Sequence, residues 1–252
     1  MRKAKVLTLR ISLGTYKKFI YDIIEAAQLR QSNYTCVANV HMIAEAFYSN
    51  SYSSIVNNAD IVTPDGKPIV WALKFLYGIK QERVAGMDLL PDILVEAEKR
   101  KIPVYFYGGT DSMLVKTHEY LNHAYPNLII SGFCSPPFRE LAIEEEEEMT
   151  NKINQSEARI VFVALGCPKQ EKWMSRMKDK INSVMIGVGG ALPVLIGMQK
   201  RAPLWMQKSG LEWFFRLYQE PRRLFKRYAS TNTLFTWLLI KEYFRIKIIG
   251  KK

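Results

Sequence analysis

The sequence predicts an α/β fold: a doubly wound, mostly parallel, Rossmann-like sheet with helices on both faces, plus a basic helical C-terminal appendage. Apolar runs of strand length alternate with longer segments of helical period, a pattern that builds parallel sheets covered on both sides. The appendage follows from where the charge lies. The chain carries a net charge of +12, yet residues 199–252 hold thirteen Lys or Arg against three acids, so nearly all of the excess sits in the tail. A nearly neutral α/β domain, 1–198, is therefore expected to precede a basic appendage, 199–252.

The expected strands, in order, are KVLTLRI (5–11), TCVANV (35–40), DIVT (60–63), VYFYG (104–108), LIISGF (128–133), IVFVALG (160–166) and SVMIGVG (183–189). Each is a short apolar run rich in β-branched or aromatic residues and bounded by turn formers. Between them, Phe19, Ile20, Ile23 and Ile24, and then Ile69, Val70, Leu73, Leu76 and Tyr77, recur at helical spacing. A length of 252 residues suits one such domain with a sizeable core, and 48% hydrophobic with 24% charged residues is ordinary for a globular protein. Cys36, Cys134 and Cys167 are widely spaced and form no CxxC or Cys/His cluster, so neither a zinc site nor a disulfide framework is expected. That usage fits a reducing cytosol. The basic N-terminus lacks the apolar stretch and cleavage site of a signal peptide. The acidic run at 144–148 has no oxygen-ligand spacing and reads as a solvated helix face.

The tail mixes aromatics with cations. Its last apolar stretch, from Leu234, is broken by Lys241, Glu242 and Arg245, too often for a spanning helix. At ~100° per residue those charges fall within about 100° of each other, with Trp237 and Phe244 on other faces. A helix lying in the membrane interface has this composition, and each basic side chain near an anionic leaflet adds about 1 kcal/mol. The competing reading is an ordinary helix pair packed on the domain.

Ligands of doubly wound sheets bind outside the carboxyl ends of the strands. At those ends stand Asn39, Asp65-Gly66, Arg83 in ERVAGMD, Gly108-Gly109, the CPKQE segment with Lys169 and Gln170, and Gly189-Gly190. Asp65 sits where packing needs no side chain; it either starts the next helix or does chemistry. Glycine pairs let a phosphate approach the backbone at a helix start, or simply make tight turns. A nicotinamide-dependent oxidoreductase is disfavoured, because GVGG lacks the GxGxxG spacing and follows the last strand, not the first. A nucleic-acid-binding module would use arginines with interleaved aromatics; here they lie on an amphipathic tail better suited to lipid.

Taken together, ADIVTPDG, ERVAGMDLL, VYFYGG, SPPF, GCPKQE, GVGGALPVLIG and KRAPLWMQKSGLEWFFRLYQEPRRLFKRY resemble, in the same order from about residue 5 to 228, the WecG/TagA/CpsF glycosyltransferase family. The resemblance implies an inverting, metal-independent transferase. It would move a sugar (N-acetylhexosamine, uronic acid or hexose) from a UDP donor to a polyprenyl-diphosphate-linked sugar, at the inner face of the cell membrane. The products of such enzymes are teichoic acid, capsule or exopolysaccharide. Asp65 matches the family's general base. Arg83 matches a pocket arginine suited to a diphosphate, and Asn39, Lys169 and Gln170 match substrate-binding positions, with Gly108, Gly109, Gly189 and Gly190 letting the nucleotide near the backbone. An arginine of the appendage, Arg216 or Arg223, is implied at the donor diphosphate. Arg222, Arg223, Lys226, Arg227 and Trp237 are implied at an anionic membrane surface. No metal, no cofactor beyond the UDP-sugar and no nucleic acid is expected, and a homo-oligomer would hide or expose the tail.

The chain departs from the family pattern twice. Val37 stands where many members have Thr, and Leu192-Pro193 where Phe-Asp is usual. The lost acid raises the alternative of a member that binds UDP-sugar with an altered or disabled site.

Overall fold

The computed structural model describes residues 1–139 and 141–249. In chain order its elements are β1 (Lys3–Val6), β2 (Leu9–Ser12), α1 (Tyr16–Gln28), β3 (Tyr34–Ala38), α2 (Val40–Tyr48), α3 (Asn50–Asn57), β4 (Ile61–Pro64), α4 (Lys67–Tyr77) and α5 (Gly86–Lys99). There follow β5 (Val104–Gly108), α6 (Asp111–Ala124), β6 (Ile130–Cys134), α7 (Ile143–Gln155), β7 (Ile160–Ala164), α8 (Lys169–Met177), β8 (Val184–Gly187) and α9 (Ala191–Leu195). The tail forms α10 (Leu204–Ser209), α11 (Glu212–Gln219) and α12 (Pro221–Ile249).

Six strands make one parallel sheet in the order β4-β3-β8-β7-β5-β6. Alternation along each strand feeds two cores. Tyr34, Cys36, Tyr105, Tyr107, Val161, Val163 and Met185 face one side, against α2, α3, α4 and α8. Val37, Val104, Phe106, Ile160, Phe162, Val184 and Ile186 face the other, against α1, α5 and α6. A sheet buried on both faces needs continuous apolar strands, which is the pattern the sequence carries. Several helices open on a side-chain cap: Thr15, Asn39, Ser49 and Thr110 each accept a hydrogen bond from the backbone N–H three residues on.

One expected strand is corrected. Residues 5–11 do not run straight into the sheet; Leu7 takes a left-handed φ of 57° and folds the segment into the antiparallel β1–β2 hairpin. The turn lets Val6, Leu9 and Ile11 all enter the first core. Ser12 Oγ then accepts from the Val62 N–H at 3.0 Å, satisfying a donor on the edge strand β4. The acidic run lies on α7 as an ion-paired surface, with Glu145 on Arg139, Glu146 on Arg176 and Glu148 on Lys152.

The appendage folds back on the body. The 29-residue α12 lies along α2 and α4, and its Leu224, Thr231 and Phe235 are buried, Phe235 within the first core. Helix packing on the domain thus accounts for one face. Phe225, Trp237, Ile240, Phe244 and Ile248 stay exposed on the rest. Among the described residues no helix is long and apolar enough to cross a membrane.

Candidate active site

Local chemistry places Asp65. Pro64 ends β4 because it has no N–H to donate. Asp65 is then pinned to the neighbouring strand end, its N–H donating to the Ala38 carbonyl at 2.8 Å. Gly66 follows at φ 88°, a left-handed conformation that side chains rarely adopt, and Pro68 sits in the first turn of α4. The N-cap of α4 is Gly66, with no side-chain cap bond, so Asp65 does not start the helix. Among the described residues its carboxylate accepts no hydrogen bond. The side chain keeps part of its surface accessible, but the protein crowds it closely. Removal from water, reinforced by Glu212, pushes the carboxyl up to about 7 against the pull of Arg83 and Arg216. A carboxylate with free lone pairs and such a pKa is suited to take a proton near neutral pH.

The surrounding charges come largely from the appendage. Arg83 donates to Glu212 of α11 at 2.7 Å and to Asp88 of α5 at 2.8 Å. Arg201 pairs with Asp88 as well and lies 3.8 Å from Glu212. Both donors that Arg83 would turn to a diphosphate are therefore occupied by carboxylates. Arg216 is placed differently. One turn beyond Glu212, its guanidinium covers the end of β8 so closely that a Cβ on Gly190 would come within 2.9 Å of it. Among the described residues Arg216 makes no ion pair, whereas Arg223 is paired with Glu220 on the surface. Of the two arginines expected from the tail, Arg216 is the one brought beside Asp65 and the glycine turn. The seam under α11 is tight: the crevice lined by Met87, Arg201, Glu212 and Arg216 holds about 10 Å³, the room of one water.

The glycines have separate reasons. A Cβ on Gly108 would meet the Ala164 backbone at 2.7 Å, so that glycine lets β5 and β7 approach. Gly109, at φ 85°, makes the turn into α6 and accepts a hydrogen bond from Ser135 Oγ at 2.9 Å. Gly189 rests on Gln170, whose Oε1 a Cβ would meet at 3.1 Å. Gln170 is buried beneath that turn and donates to Glu171 at 2.7 Å. Tyr52 donates to the same carboxyl at 3.0 Å, and burial raises it.

The remaining expected residues scatter. Asn39 spends its Oδ1 on the Met42 N–H as the cap of α2. Lys169 is exposed at the start of α8. Arg222, Arg223, Lys226 and Trp237 are exposed on α12, while Arg227 is half-buried near His41, whose pKa burial and that arginine lower. Leu192 is fully buried in the second core. Val37 and Thr63 are register partners on β3 and β4, and among the described residues the buried Thr63 Oγ1 has no hydrogen-bond partner. Glu212 and Arg201 were not expected at the site. A signal was present: Glu212 and Glu220 are two of only three acids in the basic tail, and both hold arginines. Among the described residues no group of three or more His, Cys, Asp or Glu is arranged to hold a metal ion.

Residues 4–248 match the family model described as the glycosyl transferase WecG/TagA/CpsF family. A Bacillus spizizenii protein named N-acetylglucosaminyldiphosphoundecaprenol N-acetyl-beta-D-mannosaminyltransferase is 31% identical over 222 residues, covering 87% of this chain and 84% of its own length. Proteins of the same name are 30% identical in Bacillus subtilis, over 76% of this chain and 73% of their own, and 28% identical in Staphylococcus aureus, over 88% and 85%.

Proposed function

Because the chain belongs to the WecG/TagA/CpsF glycosyl transferase family, we propose that it moves an N-acetylhexosamine from a UDP donor, with inversion, onto the N-acetylglucosamine of a polyprenyl-diphosphate acceptor. N-Acetylmannosamine is the first sugar to test, since the relatives are named for its transfer. The observation that carries this reading is Asp65: unbonded, partly accessible and held near neutrality beside Arg216.

In the proposed reaction an acceptor hydroxyl oxygen attacks the anomeric carbon from the face opposite UDP. Its proton passes to Asp65, and the bond from the anomeric carbon to the β-phosphate oxygen breaks. UDP leaves with the electron pair. The new negative charge is met by Arg216 over Gly190 and by the backbone of the Gly189-Gly190 turn. Arg83 acts through Glu212 and Asp88, fixing α11 so that Arg216 is in place. This scheme assigns no step to a metal, and chelator should leave the rate unchanged. The exposed Arg222, Arg223, Lys226 and Trp237 would hold the enzyme on an anionic inner leaflet, where a lipid-linked acceptor resides.

The test is acceptor-dependent UDP release with short-prenyl diphosphate N-acetylglucosamine and a panel of UDP-sugars, with the anomeric coupling of the product read by NMR. Turnover with one donor, an inverted linkage and a loss of about 10²–10⁴-fold in Asp65→Asn are expected. UDP binding without turnover on any donor would favour the altered-site alternative raised by Leu192-Pro193. An Asp65→Asn enzyme as fast as the parent would remove the base.

A further inference from the structure

Two aromatic side chains of α4 face outward: Trp71 is 54% and Phe75 51% exposed. They do not stand alone. Phe75 stacks on Tyr243 of α12 with ring centroids 4.3 Å apart. Between the two helices runs a groove of about 790 Å³ lined by Trp71, Phe75, Leu76, Tyr243, Ile246 and the stems of Lys74 and Lys247. Its volume lies within the ~300–1,000 Å³ of small-molecule sites.

The groove is tied to the candidate active site through α4. That helix starts two residues after Asp65, and at ~1.5 Å per residue it carries Trp71 about 6 Å and Phe75 about 12 Å beyond its first residue. The turn between α10 and α11 closes over the near end, for a Cβ on Gly210 would meet Trp71 at 3.1 Å and Lys67 at 3.2 Å. Among the described residues the lining carries two lysines and no acid. An apolar floor, two lysines and a near end about one turn beyond the start of α4 suit an amphiphile with an anionic head. The face of α12 that bears Trp237, Ile240, Phe244 and Ile248 is a different one, and remains outside the groove.

Resting on the acceptor class set out under the proposed function, we propose that the α4–α12 groove takes the first isoprene units of the acceptor's prenyl chain, with Lys74 and Lys247 at its rim drawing in the anionic head. The groove would then hold the acceptor sugar at Asp65 by a contact remote from the reacting atoms. Part of the chain leaves the bilayer for the protein, so acceptor chain length should matter even with no membrane present.

Two arms test this with the full chain and a Phe75→Ala/Ile246→Ala double variant, both in lipid-free solution. In the binding arm, calorimetry compares farnesyl diphosphate with inorganic diphosphate. The parent should favour the prenyl form by about tenfold or more, the worth of a few buried methylenes, and the variant should lose that preference while binding inorganic diphosphate equally. In the kinetic arm, the KM for a prenyl diphosphate N-acetylglucosamine should rise about tenfold in the variant, with kcat held and the methyl diphosphate analogue unaffected. Equal use of prenyl and methyl acceptors by the parent would overturn the groove while leaving the transferase standing. Prenyl-selective binding with no transfer to either acceptor would do the reverse. A defect seen only with acceptor in anionic vesicles would assign the face to the bilayer, and a parent dimer that the variant dissolves would assign it to a second copy; either overturns the proposal.

Discussion

Asp65 directly follows the carboxyl end of β4, Glu171 lies in the first turn of α8 after β7, and burial raises both carboxyls. Their surroundings differ. Glu171 is completely buried, and Tyr52 and Gln170 donate to its two oxygens. Asp65 accepts no hydrogen bond among the described residues, keeps some accessible surface, and is surrounded by the charges of Glu212, Arg83, Arg216 and Asp88. A raised pKa therefore does not by itself mark a base. Chemistry also needs access and unspent lone pairs. Glu171 has spent its own on holding Gln170 under the Gly187–Gly189 turn, so it shapes the site from below.

The charged surroundings are what only Asp65 has, and removing them should have the largest effect. Arg216→Ala is expected to lower kcat for UDP release by about 10²–10³-fold, the cost of losing one group that meets charge developing at the leaving oxygen. A change confined to KM would instead make Arg216 a binding contact alone.

Glu171→Ala should strike stability, leaving the proton transfer alone. It strands the Gln170 amide in a dry interior, at about 1–3 kcal/mol, and leaves the Tyr52 hydroxyl only the Cys167 Sγ at 3.3 Å. Urea unfolding should read that loss, while the pH dependence of the surviving activity stays put. A displaced pH profile with parent-like stability would mean that Glu171 takes part in the chemistry.

A smaller shift distinguishes the two tail charges beside Asp65, Glu212 and Arg216, by sign. As the proposed base Asp65 must be ionised, so kcat/KM should climb with pH through about 7. Glu212 holds that carboxyl up and Arg216 holds it down. Glu212→Gln should therefore move the climb to lower pH, and Arg216→Ala to higher pH. The same group leaves a mark on stability. With a folded pKa above the unfolded value of 3.8, its ionisation costs stability progressively from about pH 4 to about pH 7, and the cost is constant above. Asp65→Asn should accordingly be more stable than the parent at pH 8, the gap narrowing toward pH 4.

Much of this site was legible where local rules decide the structure. Pro64, Gly66 and Pro68 announce a strand end, a left-handed turn and a helix start, and Asp65 falls between them for reasons any single chain displays. The β1–β2 hairpin was not legible, because its reversal is made by Leu7, a residue with no preference for positive φ. Tertiary burial of Val6, Leu9 and Ile11 overrode that preference. Glu212 was hidden for a different reason. Its partner Arg83 lies 129 residues away, and only the folding of the tail over the sheet brings the two together. The expected clamp role of Arg83 rested on its position in a motif, which carries no word of the carboxylates that occupy it.

The smallest effect asks what the chain lost at Val37. Val37 and Thr63 lie side by side in register on β3 and β4, pointing to the same face, and among the described residues the buried Thr63 hydroxyl has no hydrogen-bond partner. Val37 also touches Gly86, where a Cβ would stand 3.4 Å from its methyl. Val37→Thr changes shape little and offers Thr63 a hydroxyl neighbour. A hydrogen bond there is worth about 0.5–1.5 kcal/mol, partly offset by burying a second hydroxyl. The expected outcome is a rise in Tm of about 1–3 °C, with donor KM and the pH profile unchanged, because Asp65 is anchored through the Ala38 carbonyl and not through either side chain. An unchanged Tm with a lower donor KM would place the threonine found in many family members at the substrate. Position 37 would then belong with Asp65, among groups left free for chemistry, and no longer with the scaffold that Glu171 represents.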